Sequence, residues 1–122
     1  VLAGNYLLVN RGSGVFDLEA LPSTAGPRDS RGLAIGDFDG DGWRDLVIGN
    51  AFETAPHDGY AIEVLRNTGG DFIPLATLPS FEVGVFGVAL ADLNGDGWGD
   101  IAAATAEPAD VGGPPNILLL SE

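Results

Sequence analysis

The sequence contains no cysteine and no methionine, and its five basic residues are all arginine. The absence of cysteine excludes disulfides, thiolate metal sites and a cysteine nucleophile. His57 is the only histidine and lies in a polar stretch, which favours a solvated loop residue over a general base. No serine stands in a G-x-S-x-G nucleophile motif. These absences predict that the chain is not an enzyme.

Long apolar runs are also missing, because no segment approaches the roughly 18 to 20 apolar residues that a membrane-spanning helix needs. We therefore expect no insertion into a membrane. The chain begins at Val1 and has no methionine, and we expect it to be a processed or excised piece of a longer product.

Positive charge is scarce, with 18 acidic residues against 5 basic ones and a formal net charge of −13. Such a surface repels phosphate groups, so nucleic acids and anionic membranes are not expected partners. It favours cations instead. Hydrophobic residues make up 45% of the chain, which is enough to build a folded core and argues against an acidic disordered tail.

The sequence does contain an internal duplication. Segment 33–49 aligns with segment 88–104, at an offset of 55 residues (88 − 33). A second pair of segments, 7–22 and 62–79, repeats at nearly the same offset. Two independent matches in one register predict a repeat architecture.

Each repeat is expected to hold four short strands, A to D, because 19 glycines and 8 prolines indicate many tight turns. The B strands are almost entirely apolar or small, which predicts a sheet covered on both faces. The predicted strands are A at 33–38 and 88–93, B at 45–50 and 100–105, C at 6–10, 61–67 and 116–120, and D at 15–21 and 71–78.

We predict one all-β domain over residues 1–122, built from β-propeller blades of four antiparallel strands. It holds about two blade-equivalents: a C–D pair in 1–22, a complete blade at 33–79 and a partial blade at 88–122. Incomplete blades leave open strand edges that another segment must pair. The chain is therefore either a fragment of a longer propeller or an assembling unit whose partner chains supply the missing strands.

Two nine-residue loops link the A and B strands, D-F-D-G-D-G-W-R-D at 37–45 and D-L-N-G-D-G-W-G-D at 92–100. Side-chain oxygens occupy positions 1, 3, 5 and 9, and the tryptophan at position 7 can offer only its backbone carbonyl. The glycines at positions 4 and 6 allow positive φ, so that alternate residues face one centre. The candidate metal ligands are Asp37, Asp39, Asp41, Trp43 (backbone O) and Asp45 in the first loop, and Asp92, Asn94, Asp96, Trp98 (backbone O) and Asp100 in the second.

Calcium is the metal that this ligand set favours, because it takes roughly six to eight hard oxygen ligands in a flexible geometry. An EF-hand would need a glutamate at position 12, where the two loops have Ile48 and Ala103. Magnesium requires a tighter octahedron, and zinc and copper lack their nitrogen and sulfur ligands. A glycosidase pair of carboxylates is disfavoured, since residues spaced two apart with glycines between them are arranged to surround a cation. We predict two Ca²⁺ sites.

The duplicated D-x-[DN]-G-D-G-x-x-D loops, their strand-loop-strand setting and the Asn-Arg-Gly-Ser-Gly-Val-Phe turn at 10–16 resemble the FG-GAP/VCBS repeats of bacterial surface proteins and integrin α-subunit propellers. The resemblance implies calcium bound between strands A and B by the residues at positions 1, 3, 5, 7 and 9. It also implies an extracellular, secreted or cell-surface location and a structural or adhesion role. One departure is that Val85-Phe-Gly-Val88 precedes the second loop, whereas Ser30-Arg-Gly-Leu33 precedes the first.

Two alternatives to a calcium-stiffened adhesion module remain open. Identical chains could complete one another's blades through their open edges and form a ring or a filament. Alternatively, the module could bind a carbohydrate, with Trp43, Trp98 and Tyr60 as stacking platforms. The expected partners are therefore a protein, a second copy of the chain, or a glycan.

Overall fold

The computed structural model describes residues 4–22, 29–51, 62–75, 84–106 and 116–120. These residues form nine strands and contain no helix. The strands are β1 (Tyr6–Gly12), β2 (Val15–Ala20), β3 (Asp29–Gly36), β4 (Asp45–Ala51), β5 (Ile62–Asn67), β6 (Phe72–Pro74), β7 (Gly84–Ala91), β8 (Asp100–Ala106) and β9 (Ile117–Leu119).

The strands form three separate sheets in which every pairing is antiparallel. The first blade is the hairpin β1-β2, the middle blade has the order β3-β4-β5-β6, and the third blade has the order β7-β8-β9. These are the C–D, A–B–C–D and A–B–C sets of the sequence prediction. The all-β prediction is confirmed, and the arrangement is that of part of a propeller.

The A strands differ from the prediction at both ends. The sequence predicts 33–38 and 88–93, but β3 and β7 begin four residues earlier and end two residues earlier. Each contains a bulge near its start, at 30–32 and 85–87, which interrupts the alternation that marks a strand. Each ends early because the next backbone N–H groups, such as that of Phe38, donate to loop side chains rather than to a neighbouring strand.

The other strands lie within two residues of their predicted bounds, except β6. The sequence predicts a D strand at 71–78, whereas β6 covers only Phe72–Pro74. Proline has no N–H to offer to the ladder, which is a physical reason for the strand to end there. Residues 76–78 and Ala61 of the predicted strands lie outside the described residues.

Strand β4 is buried along its whole length because blades pack on both of its faces. Val47 belongs to a cluster with Val85 of the third blade, and Leu46 and Ile48 belong to a second cluster that Leu21 of the first blade joins. The prediction of a B strand covered on both faces is confirmed for β4.

Strand β8 does not fit that prediction. Its residues Ile101 and Ala103 are buried against the middle blade, but Ala102 is half-buried and Ala104 is exposed. No described segment packs on the outer face of the third blade, so β8 is covered on one face only.

Glycine allows the middle and third blades to approach closely. A Cβ atom on Gly32 would lie 3.0 Å from the Cα atom of Gly87, and one on Gly49 would lie 2.7 Å from Cγ1 of Val85. The site of Gly87 has space for a side chain, since a Cβ atom added there would meet only Cβ of Ala104 at 3.9 Å. Gly32, the glycine of the Arg-Gly pair that precedes loop 1, is therefore required for the close contact between blades.

Candidate metal centre

The two nine-residue loops, loop 1 (37–45) and loop 2 (92–100), lie side by side. The N–H of Gly99 donates to the carbonyl oxygen of Phe38 at 2.9 Å. A Cβ atom on Gly99 would lie 3.0 Å from the carbonyl oxygen of Asp37, so position 8 of loop 2 has no room for a side chain. Arg44 occupies the same position in loop 1 and is exposed.

Both loops use their glycines as the sequence predicts. Positions 4 and 6 have positive φ, a conformation that side chains other than glycine rarely adopt. The values are 73° and 90° at Gly40 and Gly42, and 79° and 94° at Gly95 and Gly97.

The backbone of loop 1 curls around the carboxylate of Asp37 at position 1. One carboxylate oxygen accepts the N–H of Gly40 at 2.8 Å, and the other accepts the N–H of Gly42 at 2.9 Å. A carboxylate has about four lone pairs, so these bonds leave capacity for a metal ion. The backbone therefore orients this predicted ligand and leaves lone pairs available.

Asp45 at position 9 connects loop 1 to the next strand of the blade. It is fully buried, and its two oxygens accept the N–H groups of Phe38 and Asn67, each at 2.7 Å. The side-chain amide of Asn67 also donates to the carbonyl of Arg44 at 3.1 Å. The end of β5 is thus part of the loop's support.

Loop 2 repeats the same hydrogen bonds. Asp92 accepts the N–H of Gly95 at 2.7 Å and that of Gly97 at 3.0 Å, and Asp100 accepts the N–H of Leu93 at 2.7 Å. The duplication seen in the sequence is therefore also a duplication of geometry.

Three predicted ligands of loop 1 converge. One oxygen each from Asp37, Asp39 and Asp45 lies within 4.8 Å of the others. Hard oxygen donors held at such spacing fit a calcium ion, which accepts irregular sets of carboxylates. Among the described residues, no second group of three acidic side chains is gathered in this way, and loop 2 has the amide of Asn94 at position 3.

Position 5 contacts different partners in the two loops. Asp41 accepts the N–H of Trp43 at 2.8 Å and pairs with the guanidinium of Arg66 at 3.2 Å. In loop 2, Asp96 accepts the N–H of Trp98 at 2.8 Å and the side-chain N–H of Asn94 at 2.8 Å. The shared backbone contact places both aspartates, while their side-chain partners differ.

Arg66 and Asn67 are site residues that the sequence reasoning missed. Arg66 ion-pairs with Asp39 as well as with Asp41. A signal for Asn67 was present, because the C–D turns both begin with asparagine, at Asn10 and Asn67, and each side chain accepts the N–H of a turn glycine. The duplication gives no clear signal for Arg66, since the offset of 55 residues aligns it with Arg11 whereas alignment of the turn asparagines aligns it with Val9.

The tryptophans at position 7 are about half exposed, at 52% for Trp43 and 48% for Trp98. A Cβ atom on Gly69, in the β5-β6 turn, would lie 3.5 Å from the indole of Trp43, which places this ring against the neighbouring turn. Their backbone carbonyls remain predicted ligands. Tyr60, the third candidate stacking residue, and His57 lie outside the described residues.

Comparison with known proteins supports the family resemblance. The FG-GAP-like repeat family matches residues 3–48. Integrin alpha-7 of Rattus norvegicus and of Mus musculus is 40% identical over 86 residues, and that of Homo sapiens is 35% identical over 85. Each match covers 64% of this chain but only 8%, 7% and 7% of the respective relative, so the chain spans less than a tenth of their length.

No solved structure matches the chain. Within the described residues, no helix is long and apolar enough to cross a bilayer. The repeat-family match, the all-β blades and the duplicated loops agree with one another, and the chain is therefore similar to FG-GAP-like repeats over residues 3–48 and to integrin alpha-7 over 64% of its length.

Proposed function

We propose that the chain is a calcium-binding structural module of an adhesion-type protein outside the cell. The observation that carries the proposal is the convergence of Asp37, Asp39 and Asp45, whose oxygens lie within 4.8 Å of one another. Carboxylates this close repel each other unless a cation compensates them. The extracellular setting and the adhesion role rest on the likeness to integrin alpha-7.

The proposed sites each use one loop. In loop 1, Asp37, Asp39, Asp41 and Asp45 would hold the ion through side-chain oxygens, and Trp43 through its backbone carbonyl. In loop 2 the corresponding residues are Asp92, Asn94, Asp96, Asp100 and Trp98. When bound, calcium would supply two positive charges to each site and close the A–B turn as a rigid unit.

The ion would stabilise more than the turn itself. Asp45 joins the loop to β5 through the N–H of Asn67, so a rigid loop 1 also fixes the register between β4 and β5. Two bound ions would offset 4 of the 13 net negative charges and leave −9. Both effects favour the compact state.

The proposed partner is a protein, reached through surfaces that the three blades leave open. In the first blade, Leu8, Phe16 and Leu18 are more than half exposed. Contiguous apolar surface of this kind marks contact sites. We also propose that residues 1–122 act as one domain, because Leu21 of the first blade and Val85 of the third pack on opposite faces of β4.

Thermal unfolding in calcium and in chelator tests the proposal. At about 1 mM calcium, a site with Kd of about 10 µM stabilises the folded state by roughly 2.7 kcal/mol. Two such sites contribute roughly 5 kcal/mol, and for a domain of this size we expect the melting temperature to fall by roughly 20 °C in chelator. The matched control is the double variant Asp37→Asn and Asp92→Asn, which keeps an acceptor oxygen in each loop and should lose most of this shift. Equal melting temperatures in calcium and chelator would contradict the proposal.

A further inference from the structure

The C strands of the middle and third blades place different residues beside the two loops. Leu65 of β5 pairs with the residue that follows the last aspartate of loop 1, and Leu119 of β9 pairs with the residue that follows the last aspartate of loop 2. The next residues along the chain, Arg66 and Leu120, therefore occupy equivalent positions. Arg66 carries a permanent positive charge, whereas Leu120 is an exposed apolar side chain.

Arg66 reaches across to loop 1 and binds two of its acidic side chains. Its Nε pairs with Asp39, and its Nη2 lies 3.2 Å from Oδ2 of Asp41. The side chains of Asp39 and Asp41 are only 17% and 24% exposed, whereas that of Arg66 is 47% exposed. The guanidinium thus approaches from the solvent side onto carboxylates that are largely covered.

We propose that Arg66 is a built-in competitor for calcium at loop 1. Its guanidinium holds Asp39 and Asp41 while the loop is free of metal, and it gives up these carboxylates when the ion binds. The inference rests on the proposed calcium function and adds an affinity-setting residue to it. It assigns Arg66 a role that Leu120 cannot play at loop 2.

The charges of the two loops support this assignment. Loop 1 has four acidic ligands, and Arg66 reduces their formal charge from −4 to −3. Loop 2 has three acidic ligands and reaches −3 because position 3 is Asn94, whose amide donates to Asp96 at 2.8 Å. The repulsion between carboxylates is therefore limited by Arg66 in loop 1 and by Asn94 in loop 2.

Competition follows because the guanidinium and the proposed ion bind the same two carboxylates, those of Asp39 and Asp41. A carboxylate in a bidentate or bridging ion pair offers less negative potential to a second cation, and the guanidinium also repels a divalent ion nearby. Coupling between two binding events on one protein typically changes affinity by about 5- to 150-fold. Because Arg66 is half exposed and can swing into solvent, we expect about tenfold, near the lower end of that range.

Calcium titration of loop 1 alone gives the primary test. Asp92→Asn and Asp96→Asn disable loop 2 while keeping an acceptor oxygen at both positions. In this background we expect Arg66→Leu to tighten calcium binding about tenfold by isothermal titration calorimetry. Arg44→Leu is the matched control, since it removes the same charge from the exposed position 8 of loop 1 and should change Kd by less than about twofold.

The reciprocal variant places an arginine beside loop 2, at the position that matches Arg66. Asp37→Asn and Asp41→Asn disable loop 1, and Leu120→Arg then places a guanidinium at the position that matches Arg66. We expect calcium binding to loop 2 to weaken by a similar factor, about tenfold. Leu120 is 54% exposed, so the substitution needs no repacking of the core.

A third measurement separates competition from a purely structural role. Without calcium, Arg66→Leu leaves Asp39 and Asp41 uncompensated, so the variant should melt at a lower temperature than the unmodified chain in chelator. In calcium the variant binds the ion more tightly, so its calcium-induced rise in melting temperature should be larger. A structural role alone would lower both melting temperatures equally.

The outcomes distinguish the calcium function from the competitor role of Arg66. If neither loop of the unmodified chain binds calcium, the proposed function fails. If calcium binds but Arg66→Leu leaves Kd unchanged or raises it, the competitor role is wrong while the calcium function stands. The same conclusion follows if Arg66→Leu lowers Kd no more than Arg44→Leu does. Tightening by Arg66→Leu together with weakening by Leu120→Arg supports it.

Discussion

Loop 1 and loop 2 share one scaffold of hydrogen bonds but balance their charge differently. In both loops the aspartate at position 1 accepts the N–H groups of the two glycines. The aspartate at position 9 accepts the N–H of the second loop residue, at 2.7 Å in each loop. Loop 1 has a fourth carboxylate and the guanidinium of Arg66, whereas loop 2 has Asn94 and no arginine at the matching place. The duplication therefore preserves the backbone geometry of the loops, while each loop reaches its charge balance through different residues.

The largest expected effect comes from removing the shared scaffold at position 9. Asp45→Ala leaves the N–H groups of Phe38 and Asn67 without their acceptor in a buried site, so we expect a loss of about 2–5 kcal/mol in the free energy of unfolding. Asp100→Ala should also destabilise the chain, because Asp100 is buried and accepts the N–H of Leu93 in the same way. Urea unfolding in chelator, followed by tryptophan fluorescence, measures both.

Asp41→Ala is the control for these two substitutions. Its ion pair with Arg66 is partly exposed, so its loss should cost less than about 1 kcal/mol in chelator. If Asp45→Ala were tolerated as well as Asp41→Ala while Asp100→Ala unfolded the chain, the two loops would not share one scaffold.

A smaller effect tests the contact between the blades that carry the loops. Gly32→Ala would bring Cβ within 3.0 Å of the backbone of Gly87, which can relieve the clash only by moving a strand, so we expect a loss of about 1–3 kcal/mol. Gly87→Ala is the matched control, because its Cβ would meet Ala104 at an ordinary 3.9 Å. Thermal melts of both variants measure the difference, and equal losses would contradict the close approach of β3 and β7.

The smallest effect on stability is expected from exchanging position 3 between the loops. Asn94→Asp replaces an amide that donates to Asp96 with a fourth carboxylate, so without calcium we expect a loss below about 1 kcal/mol. Asp39→Asn in loop 1 should be nearly neutral, because the new amide could donate to Asp41 as Asn94 does to Asp96. Melts in chelator and then in calcium check both, and Asn94→Asp should show the larger gain from calcium, since affinity rises with ligand charge.

Most of the fold could be predicted from the sequence, because it depends on local patterns. Runs of small and apolar residues such as 45–50 indicate strands, and asparagine and glycine at 67–70 indicate a turn. The bulges at 30–32 and 85–87 could not be placed in this way, since an extra residue hides the alternation on which strand assignment depends. For that reason the A strands were predicted too short at their start.

The sequence by itself determined the nine strands, the two loops and the identity of their candidate ligands, because spacing along the chain fixes which residues alternate toward one centre. Only the tertiary structure decided which groups meet the loops from other strands. Arg66 and Asn67 are 21 and 22 residues after Asp45 in the chain (66 − 45 and 67 − 45), yet pairing of β4 with β5 brings them to loop 1. Contacts of this kind depend on the register in which two strands distant in sequence pair, because a shift of one residue turns every side chain of a strand to the opposite face.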